Sequence, residues 1–197
     1  VIVGPKALLR TFMVYRTPAV LGSDGKLKPA FIPVNRKKKT RIPDYQSPLP
    51  EESWHNPRFD DSEWSRKRVP VEKAQVTTSN KNPSDLHAST PSAIIYARAK
   101  FVIEDPAKVG DLSLSVTYVG GVAVFLNGRE VTRGHLPEGE LKPDTLAEKY
   151  PADLYLKADG KTLMPIVRKM KANDKKRFAR RYRKLSDVKI PAAMLSK

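Results

Sequence analysis

The 197-residue chain carries 37 Lys and Arg against 21 Asp and Glu, a formal net charge of +16, with 17 prolines, 10 glycines and no cysteine. The missing cysteines exclude a disulfide framework and any thiolate metal site, and no apolar run approaches the roughly 20 residues a membrane-spanning helix requires, so insertion by a helix is not expected. The charge excess invites a polyanionic partner, but its location along the chain matters more than its total. The length suits one domain with appendages, and the prolines imply many rigid connections rather than long helices.

In chain order, Ala7 to Tyr15 (ALLRTFMVY) is rich in β-branched and aromatic residues and contains no breaker, which predicts a strand. Pro18 and then Gly22-Ser23-Asp24-Gly25 end it with turn chemistry. Asn35 to Arg41 (NRKKKTR) is a basic run between prolines, either a solvated loop or a polyanion contact. Ile42 to Pro50 is proline-punctuated and expected to lie extended on the surface. In Trp54 to Pro70 (WHNPRFDDSEWSRKRVP), Asp60, Asp61 and Ser62 are turn or N-cap formers, because short side-chain oxygens accept from nearby backbone N–H groups. Trp54, Phe59 and Trp64 are expected to fold inward while this acidic turn faces water. Val76 to Pro91 is a polar loop. Ser92 to Glu104 alternates, with Ile95, Ala97, Ala99, Phe101 and Ile103 on one side and Arg98 and Lys100 on the other, predicting a strand with one charged, solvated face.

Asp111 to Gly134 carries the strongest pattern. Leu112, Leu114, Val116 and Tyr118 alternate with Ser113, Ser115 and Thr117, the period of a strand buried on one face. Gly120-Gly121 turns the chain, Val122 to Leu126 is a short apolar run, and Asn127-Gly128 is the dipeptide most compatible with a type I′ hairpin. The expectation is three successive antiparallel strands, a β-meander. His135 to Lys142 is a loop, and Pro143 to Glu148 suggests a single helical turn. Leu163 to Leu185 is the most basic segment; Met164, Val167, Met170, Phe178 and Tyr182 suggest an apolar stripe broken around Asn173-Asp174, hence one or two short helices. Val188 to Ile190 reads as the beginning of a strand and Pro191 to Leu195 as a turn.

The set Trp54…Phe59-Asp60-Asp61-Ser62…Trp64…Val69-Pro70, followed by Ala97 to Phe101, Leu112 to Val116 and Val124 to Val131, resembles the signature of galactose-binding-like jelly-roll domains. Leu185 to Leu195 (LSDVKIPAAML) is similar to the stretch preceding the last core strand of such domains. The resemblance implies an all-β, antiparallel β-sandwich over residues 1–197, of a type that accompanies glycoside hydrolases and large secreted bacterial proteins. Two departures stand out: a basic, partly helical insert at about 156–185, and no closing strand by Lys197. These lead us to expect a piece of a longer protein.

For catalysis the sequence offers little. His55, His87 and His135 are far apart, without ligand spacing, and no GxSxG elbow or Gly-rich phosphate loop occurs. Asp60 and Asp61, adjacent on a turn, cannot easily flank one scissile bond at the about 5–9 Å that glycosidases use. They could ligate Ca²⁺, although turn formation is the favoured explanation of the pair; no other cofactor is expected. Sugar binding needs an aromatic platform with polar groups beside it, and Tyr45, Trp54, His55 and Arg58 are the best such set, with core packing as the competing role of Trp54. In the basic segment, Lys175, Lys176, Arg177, Arg180, Arg181 and Arg183 are the candidates for a polyanion or nucleic-acid contact, against a solvated or domain-docking excursion. The expectation is a non-catalytic carbohydrate-binding or interaction module of an extracellular or periplasmic protein, whose partners are carbohydrate or neighbouring domains. The alternative is a polyanion-binding or docking module acting through residues 163–184.

Overall fold

The computed structural model describes residues 3–16, 19–29, 33–35, 40–41, 46–69, 71, 92–105, 108, 110, 112–157, 159–162 and 172–195. Strands dominate, every pairing is antiparallel, and α1 (Ala172–Ala179) is the one α-helix among these residues. No described helix is long and apolar enough to cross a membrane. The chain divides into two compact units: Val1–Trp54 with Arg58–Val102, and His55–Pro57 with Ile103–Lys197.

In the first unit β1 (Leu8–Tyr15) is followed by two small hairpins, β2 (Ala19–Leu21) with β3 (Leu27–Pro29) and β4 (Pro33–Asn35) with β5 (Thr40–Arg41). The first hairpin turns at Gly22–Gly25 as its composition predicts, with Gly25 at φ 73°. β6 (Ser65–Arg68) and β7 (Ser92–Arg98) flank β1, giving the order β6-β1-β7. Val14 is only 1% exposed and Trp64 6%, the tryptophan tilted against Phe12 at 5.4 Å and Phe59 at 5.5 Å between ring centroids. Thr11, also buried, donates its hydroxyl to the Ser65 carbonyl and so ties β1 to the start of β6.

Three expectations for this unit need correction. β7 ends at Arg98, not Glu104, because its pairing with β1 stops at Arg10↔Arg98. Its faces are also the reverse of those expected. Ile94 lies opposite Val14 and Tyr96 opposite Phe12, so they and Arg98 take the covered face, while Ala97 and Ala99 are exposed. Hydropathy misassigned Arg98 because its charge is met by a buried carboxylate. Likewise the acidic turn does not simply face water: Asp60 is exposed and accepts from the Ser62 N–H, but Asp61 is buried.

The second unit contains β8 (Leu112–Tyr118), β9 (Val122–Leu126) and β10 (Arg129–Gly134), then α1 and β11 (Arg183–Ile190). The β9–β10 hairpin forms at Asn127-Gly128, both with positive φ (51° and 83°), as a type I′ turn demands. The meander does not form. β8 pairs with β11, more than sixty residues on, and not with β9. β11 begins five residues before the predicted Val188, and a bulge between Leu185 and Val188 interrupts its alternation; there Asp187, at φ 55°, donates its N–H to the Ser115 hydroxyl. The helical turn expected at Pro143–Glu148 is instead a turn closed reciprocally by Lys142 and Thr145. In the basic segment α1 runs from Ala172 through Asn173-Asp174 to Ala179, with Asp174 in its first turn complementing the helix dipole, while Met164, Val167 and Met170 lie outside the described residues. Leu154 and Ile190 are the buried apolar residues among those described in this unit.

Two predictions follow from the packing. Trp64→Ala should destabilise the chain by about 3–5 kcal/mol, read from urea unfolding followed by far-UV circular dichroism; a loss below about 1 kcal/mol would contradict its place in the core. In the 159–162 turn the Asp159 carboxylate accepts from the Thr162 hydroxyl and from the N–H groups of Thr162 and Lys161, and these bonds, the Thr162 hydroxyl first, lower its pKa from 3.8 to about 2. A depressed folded pKa gives stability that is present above the unfolded pKa and lost as pH falls through the folded one. The stability gap between wild type and D159N should therefore be constant above about pH 5 and shrink on acidification to about pH 2.

Candidate functional site

Among the described residues of the first unit, the most concentrated arrangement of charge is set by strand register. Arg10 on β1 lies directly opposite Arg66 on β6 and Arg98 on β7, so three arginines form one row across three neighbouring strands. Like charges directly opposite one another in a sheet repel. Asp61 is drawn into this row by the turn that precedes Trp64, whose N–H donates to the Asp61 carbonyl. The Asp61 carboxylate accepts from Arg98 Nε at 2.9 Å, with both side chains about nine-tenths buried (11% and 9% exposed). Arg98 also donates to the Trp54 carbonyl, and its guanidinium lies 5.2 Å from the centroid of Phe59. Arg10 donates from Nη1 to the Trp64 carbonyl, and its Nε stands 3.9 Å from the other Asp61 oxygen. Lys100 Nζ is 4.0 Å from that same oxygen. The FDDSxW motif thus contributes one internal counter-ion, Asp61, and one turn former, Asp60, whose carboxyl is held below its ordinary value chiefly by the Ser62 N–H.

Two of the basic-segment candidates serve the interior of the second unit. Arg181 donates from Nε and Nη2 to the Leu154 carbonyl and lies over both Tyr155 (4.5 Å) and Phe178 (4.9 Å). Arg183 donates to the carbonyls of Gly120 and Glu148 and lies 4.0 Å over Tyr150. The Tyr150 hydroxyl accepts from the Gly120 N–H and donates to the Arg181 carbonyl. The guanidiniums fix the β8–β9 turn, the 148–155 segment and the approach to β11 as one network. Arg180 is paired with Asp153 at 3.0 Å on the surface. That leaves Lys175 and Lys176 exposed on α1, with Arg177 half-buried. Alternation of Arg181, Arg183 and Leu185 with exposed Tyr182 and Lys184 was the signal in the sequence that these arginines face inward.

The sugar-binding candidates are not gathered within either unit. Tyr45 lies outside the described residues. Trp54 is half-buried with its ring edge-on to Tyr96 at 4.9 Å, and Arg58 is exposed in the same unit. His55 belongs to the second unit, stacked against Phe125 at 5.5 Å. His135 meets the Tyr118 hydroxyl through Nδ1 at 2.7 Å and stands 3.9 Å from Glu148, while burial raises the Tyr118 pKa; His87 lies outside the described residues. Ca²⁺ ligation by the Asp60-Asp61 pair is not supported: the Asp61 oxygens face cations, and no group of three or more His, Asp or Glu suited to a metal occurs among the described residues. The cationic row was missed in the sequence because Arg10, Arg66 and Arg98 are separated by up to 88 positions and only register aligns them.

Compared with known proteins, the chain matches no family model, no curated protein and no solved structure.

Because Arg183 acts as a fork across the carbonyls of Gly120, Glu148 and Lys149, Arg183→Lys, which keeps the charge, should destabilise the chain by about 1–3 kcal/mol. K175Q/K176Q should leave stability within about 0.5 kcal/mol of wild type. Thermal and urea unfolding check both, and an Arg183→Lys variant as stable as wild type would contradict the internal role.

Proposed function

We propose that this chain is a non-catalytic, β-rich binding module of a larger extracytoplasmic protein, and that its partner is a polyanionic carbohydrate. The observation that carries this reading is β6: Arg66, Lys67 and Arg68 are consecutive cations on a strand whose four residues are all exposed, at the edge of the β6-β1-β7 sheet. Successive side chains alternate faces, so Arg66 and Arg68 share one face about 7 Å apart, a spacing that lets two cations follow one charged chain. The same charges discourage edge-to-edge pairing with another sheet, and the overall +16 supplies long-range attraction. Lys175 and Lys176 on α1 offer a second exposed basic element. Carbohydrate is favoured over nucleic acid by the motif resemblance, in which the jelly-roll sandwich is the scaffold and recognition is shallow. An anionic glycan is favoured over a neutral one because Trp54, the aromatic a neutral sugar would stack on, packs against Tyr96.

The test is retention on immobilised heparin across a salt series, with neutral dextran and double-stranded DNA as competitors. Binding should fall linearly on a log–log plot against salt, and R66Q/R68Q should lower the slope by about 2. An unchanged slope, or retention displaced by dextran, would contradict the reading, and displacement by DNA but not by free heparin would move it to nucleic acid.

A further inference from the structure

The cationic row has more charge than its internal counter-ion accounts for. Among the described residues Asp61 makes a hydrogen-bonded ion pair with Arg98 alone; at 3.9 and 4.0 Å, Arg10 Nε and Lys100 Nζ are too far from its second oxygen to donate to it. Arg66 makes no ion pair among the described residues. These side chains do not crowd one another shut. Arg10, Asp61, Arg66, Arg98 and Lys100 line a cleft of about 230 Å³, walled in part by Leu8. One water needs on the order of 10–15 Å³ of such space, so the cleft admits a group the size of a tetrahedral oxyanion with water beside it. Four cations against one carboxylate, set partly against apolar walls, focus a positive potential into that volume. Guanidinium forks match the geometry of carboxylate, sulfate and phosphate oxygens.

We infer that this cleft is an oxyanion subsite, taking one sulfate, phosphate or carboxylate group. The inference rests on the polyanion reading for its biological ligand, as the place where one charged substituent of the polymer is bound individually while Lys67 and Arg68 contact the chain diffusely. A bound oxyanion relieves the repulsion among Arg66, Arg10 and Arg98 that the register imposes. Arg98 keeps its carboxylate partner, and the new group is bound by Arg10, Arg66 and Lys100.

The experiment is titration of the full chain with sodium sulfate, sodium phosphate and sodium glucuronate at constant ionic strength, followed by calorimetry and by amide ¹H–¹⁵N shifts. At least one of the three should bind saturably at one site, moving the amides of Arg10, Arg66 and Lys100, and the tightest of them names the chemistry of the substituent. Arg66→Gln with Lys100→Gln, both on exposed residues, should weaken that binding at least ten-fold while the melting temperature in chloride stays within a few degrees of wild type. K67Q/R68Q, outside the cleft, should leave small-anion affinity unchanged while reducing heparin retention. A chain that retains heparin but shows no saturable response to any of the three anions overturns the subsite and leaves the polyanion reading standing. A chain that binds a small anion but not heparin overturns the polyanion reading and leaves the subsite. Equal affinity in wild type and the Arg66/Lys100 double variant overturns the assignment to these residues.

Discussion

Asp61 and Arg98 meet at 2.9 Å with little of either side chain exposed, and the first unit is arranged around that contact. An ionised carboxylate and a guanidinium can be withdrawn from water only if each finds partners, since the desolvation of either alone costs several kcal/mol. Here Arg98 is satisfied by Asp61 and by the Trp54 carbonyl, and its flat face lies over Phe59. The motif turn delivers Asp61 to the sheet, the sheet holds Arg98 at the end of β7, and Trp64, which closes the turn three residues after Asp61, is thereby packed on Phe12 and Phe59. A pair of this kind adds little net stability compared with apolar residues of the same volume. Its consequence is specificity of arrangement: it fixes which face of β7 turns inward and where the cationic row stands.

The second unit handles its charge in a different way. Arg181 and Arg183 have no carboxylate partner among the interactions described for them; they bind carbonyl oxygens and lie against aromatic rings. Guanidinium tolerates this better than ammonium because it is planar, weakly hydrated and rich in directed donors. A formal charge of +16 therefore overstates what the molecule presents to a partner. In the most basic segment Arg181 and Arg183 are internal fasteners, whereas Lys175, Lys176 and the β6 cations are exposed.

Much of the local structure was legible in the residues. Strands over Leu8–Tyr15, Leu112–Tyr118 and Val122–Leu126 and the Asn127-Gly128 hairpin follow from alternation and turn chemistry, which are local properties. What the sequence concealed was pairing and compensation. β8 finds β11 across some seventy residues, and the bulge at Ser186-Asp187 hides β11 by breaking its period. Arg98 was assigned to water because a charged residue is ordinarily there, and only the fold reveals the carboxylate that permits its burial. The candidate site follows the same logic. Arg10, Arg66 and Arg98 are unremarkable singly, and become a site through register alone. Of the aromatic candidates at adjacent positions, Trp54 meets Tyr96 and His55 meets Phe125, partners that proximity in the chain does not reveal.

The most direct measurement is a double-mutant cycle on the central pair: Asp61→Asn, Arg98→Met and the two combined, each unfolded in urea under the same conditions. Each single change leaves a buried charge unpaired and should cost about 3–5 kcal/mol, whereas the combined change should cost well below the sum, a coupling of about 2 kcal/mol or more. Additive costs, or single variants as stable as wild type, would show that the turn and the sheet are held together by something other than this pair.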